Sequence, residues 1–440
     1  MNGKRRHETR LASMLVTLGL LAVACATLHA NEPIRTDLID IGSRLELFVD
    51  QYLIDTMDGV TRELHSPERK EAVFTFDRPW EGGATGCVTV FDDGIPGGVP
   101  HYRMYYVGVP MRDEYRDYPN IYEPAVVCTV ESRDGIHWTR PNLKLFSGEF
   151  IDRYRKTFTV AAPNNIVWLV QGIQVHSNDN FVPFKDSNPA CNPEARYKAI
   201  GRWINRPNQT GYPWPSWTGF VAMQSSGGIH WSLMQDERII KKTETDAQNV
   251  AFWDFIQGHY TCHTRVKRKD GTFLRSIARL TSDDFLHWSD PPQWLEYGNA
   301  PEEHLYNSTI RPYFRAPHIS LGLVMRLVTG RKWVKEHPQH EISDAMFMSS
   351  RDGLHFNRGF LEGWIRPGFD PVQVVDSRKH GASLGHAEDC TRGTLHLLAG
   401  PQQSTQVDAK IAARHAPHGR VCFRAREVRR WRVDHQAARL

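Results

Sequence analysis

Six carboxylates stand beside apolar, strand-like runs: Asp50 in LELFVDQYLI, Glu81 in RPWEGGATG, Asp186 in FVPFKDSNP, Asp246 and Asp254 in TDAQNVAFWD, and Glu303 in APEEHLYN. Large aromatic side chains accompany them: Trp80, Phe184, Trp253 and Tyr306, with Arg311, Arg315 and His318 further along. Hydrolysis of a glycosidic bond needs this inventory. One carboxylate acts as base, a protonated carboxylic acid stands across the bond, and their environments push the two pKa values apart. Flat rings would support a sugar, and the arginines and histidine would bond its hydroxyls. Each acid also has a structural use. Asp50 suits a turn cap, Glu81 a solvated surface, and Asp186 the start of a turn at Ser187–Pro189.

The elements that would position these residues are repeated. SRDGIHW (Ser132–Trp138), SSGGIHW (Ser225–Trp231), SDDFLHW (Ser282–Trp288) and SRDGLHF (Ser350–Phe356) align without gaps, at intervals of 93, 57 and 68 residues. Apolar runs precede them: AVVCTVE, GFVAMQ, RSIARLT and DAMFMS. Ser and Asp cap the N–H groups of a tight turn, Gly supplies its positive φ, and the aromatic packs between sheets. Asp134, Asp284, Asp352 and the histidine before each aromatic are therefore assigned to turns, and Gly227 replaces the acid in the second copy. Spacing near sixty residues with several short alternating strands per unit reads as one propeller blade per repeat. The second unit divides into NNIVWLVQG, ARYKAIGRWI, TGFVAMQ and SLM, and the third into NVAFWDFIQ, HYTCHTRV and TFLRSIARLT. Helix-period segments are almost absent, so an all-β fold is expected. The opening strand of each blade would line a central channel and gather one or two residues per blade at one end.

The chain has 440 residues, 40% hydrophobic and 24% charged, which excludes wholesale disorder and a disulfide-dense miniprotein. Its formal net charge of +4 does not suggest nucleic-acid binding. That charge is concentrated at the ends, leaving a mildly acidic body. Lys4, Arg5, Arg6 and Arg10 precede the run LASMLVTLGLLAVACA, the pattern of a secretory signal ending near Ala30. A lipoprotein site at Cys25 is the minor alternative. From Gln373 to Leu440 the alternating pattern vanishes, and 12 Lys+Arg stand against 6 Asp+Glu, with 6 His. This composition resembles out-of-frame translation of GC-rich DNA, and a frameshift or truncation near residues 370 to 380 is expected. The domains are thus a signal at 1–30, a propeller at 31–372 and a basic irregular tail at 373–440. Cys87, Cys128, Cys191, Cys262, Cys390 and Cys422 show no CxxC pair, so neither a zinc site nor a redox motif is indicated.

The repeat and the order of acids resemble the five-bladed β-propeller glycoside hydrolases, the superfamily of arabinanases, xylosidases, invertases and levansucrases. More closely, the chain resembles secreted proteins of environmental bacteria, notably planctomycetes, similar to glycoside hydrolase families 32 and 43. The shared stretches are GSRLELFVDQYLI, PWEGGATGCVTVF with YRMYYVG, ESRDGIHW, NFVPFKDSNP with ARYKA, TDAQNVAFWD, EHLYNSTIRPYFRAPH and MFMSSRDGLHF. The invertase-type signatures WMNDPNG, RDP and EC are not present. The resemblance implies a five-bladed propeller of four-stranded blades, incomplete at its C-terminus. It implies Asp50 or Glu81 as base or nucleophile, Asp186 as the tuning acid and Glu303 as proton donor, with Asp246 competing for the third-blade role. Some relatives hold a Ca²⁺ in the channel, but no EF-hand or His-rich spacing argues for one here, and no cofactor is expected.

Three functions are compatible with these residues. The leading expectation is an exported, monomeric hydrolase of a poly- or oligosaccharide, without nucleic-acid or membrane partners once the signal is removed. The alternative is a non-catalytic carbohydrate-binding or scaffold propeller. A sialidase-like propeller is disfavoured, because no triad of channel arginines is apparent.

Overall fold

The computed structural model describes residues 39–65, 67, 73–81, 84–94, 98–109, 125–151, 157–169, 176–203, 219–240, 248–267, 274–331, 341–366, 394–395 and 411–423. The signal segment lies outside them, as does most of the basic tail. The chain forms two compact units. One comprises Met1–Gly42, Gln51–Val60 and His415–Leu440. Its described part includes a short turn in which the Asp40 carboxylate accepts from the Gly42 N–H at 2.8 Å. The other comprises Ser43–Asp50 and Thr61–Arg414 and holds the repeats.

Four antiparallel sheets follow one another along the second unit. The first contains, in order across the sheet, Ala84–Asp92, Tyr102–Val109, Val126–Ser132 and Trp138–Thr139. The second contains His176–Lys185, Tyr197–Trp203, Phe220–Ser225 and Ser232–Leu233. The third contains Val250–Asp254, His259–Lys267, Arg275–Ser282 and Gln293–Trp294. In the fourth, His304–Leu305 and Ile310–Tyr313 both pair with Ala316–Thr329, followed by Glu341–Ser350 and Gly363–Ile365. The opening strand of each sheet neighbours that of the next, so the sheets are four propeller blades around one channel. Among the described residues there is no α-helix, and four blades are present where the sequence suggested five.

Apolar faces explain why the sheets stack. Tyr105, Val107 and Val127 of the first blade pack with Phe181, Ala199, Val221 and Trp231 of the second. Phe184, Ile200 and Phe220 meet Ala251, Tyr260, Leu280 and Phe285 at the next joint. Ile277 and Leu295 meet Ile310, Val324, Met346 and Phe356 at the last. Cys87, Cys128 and Cys262 are buried thiols outside any disulfide, packed as small side chains. One strand departs from the expectation. NNIVWLVQG does not open the second blade; Ile166–Leu169 pairs with Val126–Ser132 of the first. The cause is local: Ile166 and Leu169 bury against Val126, Cys128 and Val130, while the Asn165 amide donates to the Thr129 carbonyl at 2.8 Å.

All four repeated motifs form the same turn. Ser132, Ser225, Ser282 and Ser350 each accept through Oγ from the backbone N–H three residues on, at 2.8–2.9 Å. That third position has positive φ in every copy: Gly135 75°, Gly228 75°, Phe285 70° and Gly353 71°. The acid, where present, accepts from two further backbone N–H groups and holds the histidine Nδ1, at 2.7 Å for Asp134–His137 and 2.5 Å for Asp352–His355. The His137 imidazole holds the Asp134 carboxyl well below the carboxylate range, Asp134 in turn raises His137, and Asp352 likewise raises His355. By NMR, both histidines are expected to titrate above 6.5, and Asp134→Asn should return His137 to the ordinary range. No change on that substitution would contradict the pairing.

Candidate active site

Because every blade repeats the same up-and-down course, the opening strands run in one direction along the channel. Glu81 and Glu303 precede their opening strands, Asp254 ends its strand, and Asp186 follows its own. The candidate acids therefore divide between two opposite mouths. Asp246 lies outside the described residues.

Glu81 is fully buried. Its carboxylate takes the Arg140 guanidinium through both oxygens, each at 2.8 Å, and also accepts from the Arg78 N–H and the Tyr106 hydroxyl. Burial works against the Arg140 charge, but Glu81 and Asp77 outweigh it and raise the guanidinium. The Tyr106 hydroxyl accepts from the Asn165 amide at 2.8 Å, and Asn165 accepts from the Trp80 indole at 3.0 Å. Trp80 and Glu81 thus belong to one satisfied network on the first blade, and no oxygen of Glu81 is open to solvent.

At the other mouth Asp186 is closed in by Lys198 Nζ at 2.5 Å, the Tyr260 hydroxyl at 2.6 Å and the Asn188 N–H at 2.9 Å. The same device occurs one blade earlier. Asp93 pairs with Arg103 at 3.1 Å and accepts from the Tyr197 hydroxyl. Burial, then Asp93, push the Tyr197 hydroxyl up to about 12. In each case an acid in the turn after the opening strand holds a cation on its own blade and a tyrosine from the next. Tyr197 and Lys198 adjoin in sequence and serve one latch each, and Arg103 follows Tyr102 in the same way, but Tyr260 is followed by Thr261, so no single motif marks the device. Asp186 is a latch between the second and third blades, placed away from Glu303 by this arrangement.

Glu303 is a quarter exposed, with 24% of its side chain accessible. It accepts from Arg326 at 2.9 Å and from Arg358. Arg326 also forks onto Asp344 at 2.9 and 2.6 Å, and Asp344, followed by Glu303, raises the guanidinium. One arginine therefore bridges two solvent-reachable carboxylates. Asp50 instead takes the fork of Arg351 at 2.6 and 3.2 Å, and Glu46 takes Arg351 at 3.0 Å and His318 at 3.0 Å. Asp344 and Arg351 stand at opposite ends of the Glu341–Ser350 strand region, seven positions apart. At a rise of about 3.3 Å per residue, that is roughly 23 Å, beyond the ~5–9.5 Å of an acid–base pair. Asp50 and Glu303 are not brought together.

The expected platforms divide as well. Phe184 is 3% exposed and edge-on to Phe285 at 5.6 Å, a core residue and not a sugar platform. Trp253 is partly buried, edge-on to Tyr260 at 4.9 Å. Tyr306 is partly accessible and faced by Arg265 at 4.1 Å and Arg275 at 5.3 Å. Arg315 is exposed in the turn after the last opening strand, beside exposed Phe314, whereas His318 is paired with Glu46. Among the described residues no group of three His, Cys, Asp or Glu side chains could hold a metal ion. Two groups lie near the blade-three/four joint: Glu303, Asp344, Arg326 and Arg358, joined by ion pairs, and Tyr306, Arg265 and Arg275, joined by ring–cation contacts. The Arg275 N–H donates to His304, next to Glu303, at 3.2 Å. Asp344 carried no sequence signal, because only its register opposite Arg326 brings it to Glu303.

No family model matches the chain, and no curated protein matches it. Among solved structures it is similar to a "Glycoside hydrolase" (10% identity, TM-score 0.42, covering 75% of this chain and 91% of that one). It is similar to an N-acetylgalactosamine deacetylase from F. plautii in complex with blood group B trisaccharide (13% identity, TM-score 0.42, covering 71% and 77%). It is also similar to a fructofuranosidase from Schwanniomyces occidentalis complexed with fructose (12% identity, TM-score 0.37, covering 65% and 48%). At such scores the blade assignment rests on the strand pairing of this chain itself.

Proposed function

We propose that this chain is an exported, carbohydrate-directed propeller of the glycoside-hydrolase kind. The reading is carried by one observation: Glu303 and Asp344, both reachable by solvent, share the Arg326 guanidinium. Two carboxylates a guanidinium apart are the inventory of glycosidic acid–base chemistry. In this reading substrate entry draws Glu303 off one arginine, so that it takes up a proton from solvent and gives it to the leaving oxygen as the glycosidic bond breaks. Asp344, ionised on Arg326, takes a proton from the water whose oxygen forms the new bond to the anomeric carbon. Export rests on the basic, apolar N-terminal segment.

A non-catalytic glycan-binding role is favoured by a different observation. Both oxygens of Glu303 already accept from guanidinium donors, leaving neither in position to donate a proton. A screen of oligosaccharides for release of reducing ends, with binding measured in parallel, separates the two. Under the hydrolase reading Glu303→Gln and Asp344→Asn each lose roughly 10²–10⁴-fold in turnover and keep glycan binding. Binding without turnover by the parent chain selects the second role, and absence of both excludes carbohydrate altogether.

A further inference from the structure

Arg311 stands apart from the other arginines on or near the sheets. Arg103, Arg140, Arg326, Arg351 and Arg358 each hold at least one carboxylate within salt-bridge distance. Arg311 holds none, and forms no side-chain hydrogen bond, among the described residues. It lies in the Ile310–Tyr313 strand of the fourth blade, half-buried, after the fully buried Ile310 and before the half-buried Pro312. Its register partner across the sheet is Leu321, an apolar core residue. Burial pushes the guanidinium down to about 10, with no neighbouring charge to offset it. A cation drawn partly out of water with no carboxylate beside it is costly to keep. The five donors of a guanidinium match a planar or tetrahedral oxyanion through paired bonds, a geometry that a sugar hydroxyl cannot reproduce.

We infer that Arg311 is a binding site for an anionic group of the glycan, a uronate carboxylate or a sulfate ester, and that the propeller selects acidic over neutral polysaccharide. The inference rests on the carbohydrate reading above and narrows it to a substrate class. The oxyanion forms two hydrogen bonds with the guanidinium beside the fourth blade's opening strand, while the neutral rings of the chain extend past it.

The test is calorimetric titration of the full chain with oligogalacturonate, a chondroitin sulfate oligosaccharide and neutral xylohexaose at fixed ionic strength, repeated with Arg311→Met and Arg311→Lys. The parent should bind an acidic oligosaccharide at least tenfold more tightly than the neutral one. Which acidic ligand wins distinguishes carboxylate from sulfate. Arg311→Met should lose the preference and, without ligand, melt at a higher temperature than the parent, whereas Arg311→Lys should retain part of the selectivity. Equal affinity for neutral and acidic ligands overturns the inference and leaves the carbohydrate reading intact. A lowered melting temperature of unliganded Arg311→Met also overturns it, by showing that the arginine is paired within the chain. If no oligosaccharide binds, the carbohydrate reading fails. Inorganic sulfate then decides Arg311 separately: a larger thermal shift in the parent than in Arg311→Met supports an oxyanion site, and equal shifts remove it.

Discussion

Replacing Glu81 with alanine is expected to destabilise the propeller by about 3–5 kcal/mol, the usual cost of removing one partner of a buried ion pair. The carboxylate is fully buried and satisfies Arg140, Tyr106 and the Arg78 N–H together. Its removal leaves the guanidinium facing the Tyr106 hydroxyl and the Phe74 ring, which lies 4.3 Å from the charge. Arg140 keeps part of its exposure and its bonds to Asp77 and the Thr75 carbonyl, which places the cost toward the lower end. Urea denaturation of Glu81→Ala and of the double variant Glu81→Met with Arg140→Met reads it out. The double variant should recover much of the loss, because it removes the stranded charge as well. A single variant as stable as the parent would show that the pair contributes nothing. The same geometry makes a test of Glu81 as nucleophile uninformative from activity alone, since lost activity would follow lost structure.

The second large effect is on stability against pH, and it comes from His263. This side chain is fully buried at the joint between the third and fourth blades, near Phe252 and Phe356 at 6.0 and 6.1 Å. Neither ring nitrogen makes a well-formed hydrogen bond, and burial, only partly offset by the Gly353 backbone, pushes the imidazole down to about 3 from 6.5. The unfolded chain therefore binds a proton below pH 6.5 that the folded chain refuses. Stability is fully present above 6.5 and declines by about 1.4 kcal/mol for each pH unit below it, until the folded imidazole titrates. Other groups titrate in the same range, so the difference between the parent and His263→Leu is the quantity to follow. At pH 4.5 that difference should be about 2–3 kcal/mol larger than at pH 7.5, in favour of leucine. Parallel stability curves for the two proteins would rule out this role for the imidazole.

Much of the fold was legible because it rests on short-range rules. The Ser-x-Asp-Gly turn is specified by residues within seven positions, and it survives Gly227 in place of the acid and Phe285 in place of the glycine. The third blade follows its apolar runs closely for the same reason. What escaped was decided across long separations. Ile166–Leu169 reads as an opening strand until its asparagines and apolar face find the first blade. Asp186 reads as a site acid until Tyr260, 74 residues away, closes over it. The Glu303–Asp344 pair depends on the register of two strands, and neither residue type nor spacing contains that register.

The latch of Asp93 with Tyr197 and of Asp186 with Tyr260 joins the turn after one blade's opening strand to the second strand of the next blade. Such a contact is heterologous, like the joint of a polymer, and contains no instruction to stop. A blade could be gained or lost by duplication or deletion, and the flanking blades would still present one acid and one tyrosine to each other. The number of blades in a ring built this way is set by the wedge angle between successive sheets. That angle depends on the bulk of the residues packed between them, such as Phe184 and Phe285 at one joint. Substitutions that thin or thicken these wedges are therefore the changes through which a propeller of this kind would alter its symmetry, while its latches stayed the same.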